Sequence, residues 1–113
     1  MVFERSQTDL VLVLTSEVNS IVATALAKEL LNKRLAVCVT LREIQSYFWW
    51  DEKLQEDNEV QLLIKTTNHQ LQKLLDVVNQ LHTYKTPELL YWKVSTSHEY
   101  GQWAQNIVAS TSK

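Results

Sequence analysis

Glycine and proline are almost missing from this 113-residue chain: Gly101 is the one glycine and Pro87 the one proline. These residues are the strongest punctuators of turns, so the chain is expected to run in long elements with few sharp corners. A single glycine also excludes phosphate-cradling loops, since neither a Walker motif nor a dinucleotide fingerprint can be built from it. The lone cysteine, Cys38, excludes an internal disulfide and agrees with a reducing, cytoplasmic setting. No apolar run reaches the ~18 residues of a membrane span. The opening "MVFERSQTDLVLVLTSEV" lacks the order of a signal peptide, because acids sit inside it and "LVLVL" is too short. Strong charge is missing too. A formal net charge of -2 leaves no basic footprint, so neither nucleic acid nor membrane is expected as a partner.

What is present is an ordinary globular composition, 45% apolar and 21% charged, expected to form one domain over residues 1–113. "DLVLVLTS" (9–16) reads as a strand buried on both faces. The period then changes. Val18, Ile21, Val22, Ala25, Leu26 and Leu30 share one helical face, with Ser16 or Asn19 placed to cap the start and Asn32 the end. "LAVCVTL" (35–41) returns to strand character, which continues with interruptions to Trp50. "DEK" reads as a hairpin turn and "LQEDNEVQLLIKT" (54–66) as the returning strand. A second helix places Leu71, Leu74, Leu75, Val78 and Leu81 at spacings of three and four, with Asn68 as its N-cap. "LLYWKVS" (89–95) reads as a fourth strand, and Tyr100, Trp103, Ala104 and Ile107 line one face of a third helix. The order is β-α-β-β-α-β plus a helix: an α+β, split β-α-β fold with a long β2–β3 hairpin.

The hairpin is too long for its globule. A strand from Leu35 to Trp50 spans roughly 50 Å at ~3.3 Å per residue, against about 35 Å across a compact domain of this size. Its tip carries Tyr47, Phe48, Trp49 and Trp50 instead of glycine, proline or lysine. An exposed aromatic edge invites pairing with another chain, so a partner subunit is expected to cover these rings. The competing reading folds them back over the chain's own helices.

Local chemistry is sparse. His69, His82 and His98 show no i, i+4 pairing and no sequence neighbourhood with Cys38, so spacing gives no metal motif. His69 and His98 read as surface residues, and His82 as a residue favouring the dipole at the second helix's end. Cys38, inside an apolar strand, reads as a buried, inert thiol. Lys65 interrupts an apolar strand base and faces either a cleft or solvent. Glu88 follows the only proline, and the carboxylates of Glu56, Asp57 and Glu59 do not define an acid–base pair. No enzyme is expected.

Laid out in this order, "LAVCVTL", "SYFWWDEKL" (46–54), "EVQLLIKTT" (59–67) and "HTYKTPELL" (82–90) make the chain resemble the CutA family of divalent-cation tolerance proteins, from about residue 9 to 108. The resemblance implies a ferredoxin-like protomer in a homotrimer, related in architecture to PII-type signal transducers, with hairpins paired to neighbouring subunits. It also implies a link to copper tolerance, binding of copper or another divalent cation, no organic cofactor, and polar residues gathered in clefts between subunits. Carried over by position, the implied ligand-binding residues are Cys38, Trp50, Lys65, Thr66, His82, Tyr84 and Glu88. Cys38 and His82 are the implied metal ligands, and Tyr47, Phe48, Trp49 and Trp50 the implied trimer interface. Glu52 stands where the family has a turn glycine, and Phe48 where it has tyrosine. A thiolate and an imidazole suit copper, whereas Lys65 repels a cation and favours a small anion. A PII-like signalling protein or a scaffold acting through a small molecule or protein partner is the alternative function.

Overall fold

The computed structural model describes residues 9–109; the two ends of the expected 1–113 domain, and with them much of the opening stretch, lie outside the described residues. β1 (Leu10–Glu17), α1 (Ser20–Asn32), β2 (Cys38–Trp50), β3 (Lys53–Thr66), α2 (Asn68–Leu81), β4 (Leu90–Val94) and α3 (His98–Ala109) follow in the expected order. The four strands form one antiparallel sheet in the order β2-β3-β1-β4. This is the split β-α-β, ferredoxin-like arrangement.

Alternation along the strands sets the two faces. Val11, Val13, Val60, Leu62 and Ile64 turn to one face and close on Ala23, Leu26, Ala27 and Leu30 of α1 and on Leu74 and Val78 of α2. A smaller cluster on the other face joins Leu10 and Val37 to Ala104 and Val108 of α3. α3 reaches the end of the sheet where β2 begins and leaves the opposite end of that face open.

Helix ends bear out one detail and correct two. Asn19 caps α1, its side chain accepting from Val22 N–H at 2.9 Å. Thr67, not Asn68, caps α2, because its hydroxyl accepts the Gln70 N–H. Asn32 is the last residue of α1, and the closing position is Arg34, at φ 58°. Leu35 N–H reaches Leu30 O and Arg34 N–H reaches Leu31 O, both at 3.0 Å, the paired bonds of a Schellman closure without its usual glycine. The closure consumes Leu35 and Ala36, so β2 starts at Cys38 and not at residue 35. The apolar faces also shift: Ile21 is 80% and Trp103 46% exposed, while α3 buries the small residues Gly101 and Ala104, which let it approach the sheet.

The hairpin overshoots as its length requires. Register runs unbroken from Cys38 opposite Lys65 to Trp50 opposite Lys53, whereas β1 ends opposite Val60. Residues 44–50 and 53–59 therefore pair only with each other, a ribbon of ~23 Å at about 3.3 Å per residue. The longest axis is 51 Å and the radius of gyration 15.4 Å, above the ~13 Å of a compact chain of this length. The turn keeps its two-residue form without glycine: Asp51 and Glu52 sit at φ 53° and 61°, the left-handed values that the family's glycine would take without strain.

Candidate functional site

Tyr47, Trp49 and Trp50 are 62%, 74% and 64% exposed. The chain's own helices do not cover them, which removes the fold-back alternative. Successive residues point to opposite sides of the ribbon. Phe48 and Trp50 share the α3-side face with Ser46, Gln55, Asp57 and Glu59; Tyr47 and Trp49 lie on the other side.

On that face a groove of about 750 Å³ opens between the ribbon and the loop after α2, its walls including Phe48, Trp50, Asp57, Glu59, Tyr84 and Glu88. The Tyr84 hydroxyl donates to Glu59 Oε2 at 2.8 Å, and Ser16 Oγ donates to Glu88 Oε1 at 3.3 Å. Burial, then the hydrogen bond to Glu59 and the negative charges around it, push the Tyr84 phenol up to about 12. Three expected ligand residues, Trp50, Tyr84 and Glu88, thus line one groove, with Trp50 toward the tip of the ribbon opposite Lys53 and Tyr84 and Glu88 in the loop after α2, where Glu88 is exposed.

His82 lies behind this groove. Its side chain is fully buried, so it is not the surface partner of a helix dipole that its position suggested. Nε2 is 2.7 Å from Ser16 O and 3.2 Å from Thr15 Oγ1, while Nδ1 accepts Tyr84 N–H at 3.0 Å. A carbonyl can only accept and an amide only donate, so these partners place the ring proton on Nε2. Both nitrogens are engaged. Beside the ring, the buried carboxylate of Glu17 accepts Val18 N–H through Oε1 and Thr83 N–H through Oε2, each at 3.0 Å.

The remaining expected residues lie elsewhere. Cys38 stands opposite Lys65 at the α3 end of the same sheet face, half-buried where a fully buried thiol was expected. Lys65 Nζ is 5.7 Å from the centre of the Tyr100 ring. From Lys65 back to Glu59 is six residues of β3, ~20 Å at about 3.3 Å each. The structure does not bring Cys38 and His82 together within one chain. Thr66 faces the core, completely buried, and donates to Leu35 O at 2.6 Å; in one chain it is a structural latch. His69 and His98 are exposed.

Glu17 and Glu59 received no role in the groove from the sequence, Glu59 being read only as one of three carboxylates that define no acid–base pair. Alternation held the signal for Glu17: with Val11, Val13 and Thr15 facing inward, the next residue of that parity is buried too. Nothing in the sequence pairs Glu59 with Tyr84.

Among the described residues no three of His, Cys, Asp and Glu are gathered around a common point. The groove offers oxygen atoms, which suit hard cations, and the soft thiol lies at the far end of the sheet.

The split sheet, the projecting ribbon and the groove at its base define a ferredoxin-like α+β protein with a polar site on an open sheet face. Comparison with known proteins narrows this class. The family described as CutA1 divalent ion tolerance protein matches residues 11–107, and the chain belongs to that family. It is 42% identical over 93 residues to the divalent-cation tolerance protein CutA of Pectobacterium atrosepticum, covering 81% of this chain and 84% of the relative. The solved structure of CutA from Synechococcus elongatus superposes with a TM-score of 0.86 at 31% identity, covering 89% of this chain and 91% of that one. CutA1 from Oryza sativa gives 0.84 at 29% identity, over 90% and 95% of the two chains. The family name speaks of ion tolerance and of no reaction.

Proposed function

We propose that this protein is a homotrimeric, cytoplasmic binding protein of divalent-cation tolerance, copper being the cation the Cys38 thiol would favour, and that its ligand site forms between subunits. One observation carries the proposal: five of the expected ligand residues, all but the buried Thr66 and His82, fall into two half-sites on one open sheet face, ~20 Å apart along β3 by about 3.3 Å per residue. The groove half holds Trp50, Tyr84 and Glu88, with His82 behind it, and the other half holds Cys38 and Lys65. A neighbouring copy supplies the missing half where one chain cannot. Exposed rings on the ribbon, and exposed Leu90, Tyr91 and Trp92 on the short edge strand β4, give the copies apolar surface to bury. Carboxylates outnumber Lys85 in the groove, so a cation is favoured there over an anion. The role is binding, not catalysis.

Intersubunit complementation tests this. Copper(II) and zinc(II) binding is measured by calorimetry for wild type, Cys38→Ser and Glu88→Gln. Each single variant is expected to bind at least about tenfold more weakly. Trimers refolded from a mixture of the two variants regain wild-type sites, because one chain's thiol meets another's carboxylate. A mixture no better than its components contradicts the shared site.

A further inference from the structure

The buried Glu17–His82 pair has a use beyond filling the end of the core. Thr83 and Tyr84 are consecutive, and both of their backbone N–H groups are held by buried acceptors: Glu17 Oε2 at 3.0 Å and His82 Nδ1 at 3.0 Å. The residues that follow, Tyr84 to Thr86 and Glu88, are one wall of the groove. Glu17 is 0% exposed and its second oxygen is fixed by Val18 N–H at 3.0 Å. The same carboxylate therefore ties the end of β1 to the beginning of the wall. A buried carboxylate is a costly way to satisfy two amides, since a carbonyl would serve without bringing a charge out of water.

We infer that Glu17 is a positioning residue for the groove: it sets where the Thr83–Glu88 wall stands, and so where the Tyr84 hydroxyl and the Glu88 carboxylate face the ribbon. Glu17 itself touches no ligand. Its carboxylate has no substitute in the neighbourhood, because the His82 ring spends Nδ1 on Tyr84 and Nε2 on Ser16 O. Glutamine at position 17 keeps the shape but has one acceptor oxygen for two amides, and it turns an NH2 donor toward one of them.

The inference rests on the groove being part of the ligand site, and the test separates the two. Glu17→Gln is compared with Leu30→Val, a core change in α1 at the far end of the sheet, under conditions where the two variants have equal distance from their unfolding midpoints. Hydrogen exchange reports the Thr83 and Tyr84 amides, and calorimetry with copper(II) and zinc(II) reports binding. In Glu17→Gln these two amides are expected to exchange about a hundredfold faster than in wild type, with the β1–β3 amides unchanged, and metal binding to fall at least about tenfold. Leu30→Val leaves both readouts within about twofold. If wild type binds neither metal, the proposed function fails, and the exchange rates alone decide the positioning role. Equal protection of Thr83 and Tyr84 in wild type and Glu17→Gln overturns it, as does faster exchange that leaves metal binding intact.

Discussion

At the residue scale, Tyr84 gives the site a measurable signature. Burial and its bond to Glu59 favour the neutral phenol, so its folded value of about 12 stands above the ordinary 10.0. A group raised on folding contributes stability that is complete below its unfolded value and is lost as pH climbs through the folded one. Unfolding stability should therefore fall between about pH 10 and 12 in the wild type, and Tyr84→Phe should flatten that decline. Ultraviolet titration of tyrosinate checks the same point. A Tyr84 that ionises at the ordinary value of 10.0 contradicts the groove geometry. The residue scale is also where the sequence was least legible. Glu88 and Tyr84 were placed by family resemblance, but Glu59 and Glu17 were not, because their partners lie 25 and 66 residues away. Spacing along a chain carries no record of such contacts. Thr66 shows the reverse: its position matched the family pattern, while its 2.6 Å bond to Leu35 O gives it a structural task.

At the scale of elements, alternation and helical period were enough to order all seven elements, since each strand and helix buries one face in a two-layer stack. Their ends were less legible. With so little glycine the chain closes α1 on Arg34 and turns the hairpin on Asp51 and Glu52, all at positive φ; the hairpin turn was legible in "DEK", whereas nothing marks Arg34 as a closing residue. Those choices carry strain of about 1 kcal/mol per residue. Glu52→Gly is accordingly expected to raise stability by about 1 kcal/mol, read as a higher denaturation midpoint at unchanged slope. An unchanged or lower midpoint means the Glu52 side chain makes compensating contacts. The overshoot of the ribbon was legible from length alone, because 13 and 14 paired residues exceed what β1, with eight, can cover.

At the scale of the whole molecule, two features point the same way. The ribbon leaves Trp49 and Trp50 in the open, and the sheet face opposite α1 and α2 is closed by α3 at one end only. A chain that worked alone would carry both as liabilities for aggregation. In the proposed trimer they would become the interface, and the half-sites at the two ends of that face would complete one another. Sedimentation of the purified protein at low concentration tests this most directly, with Trp49→Ser/Trp50→Ser as the comparison. The expected result is a single wild-type species of about three times the 13.2 kDa chain, and a double variant that dissociates at concentrations where wild type stays whole, with its protomer still folded. A wild-type protein that sediments as a stable, soluble single chain would contradict the account.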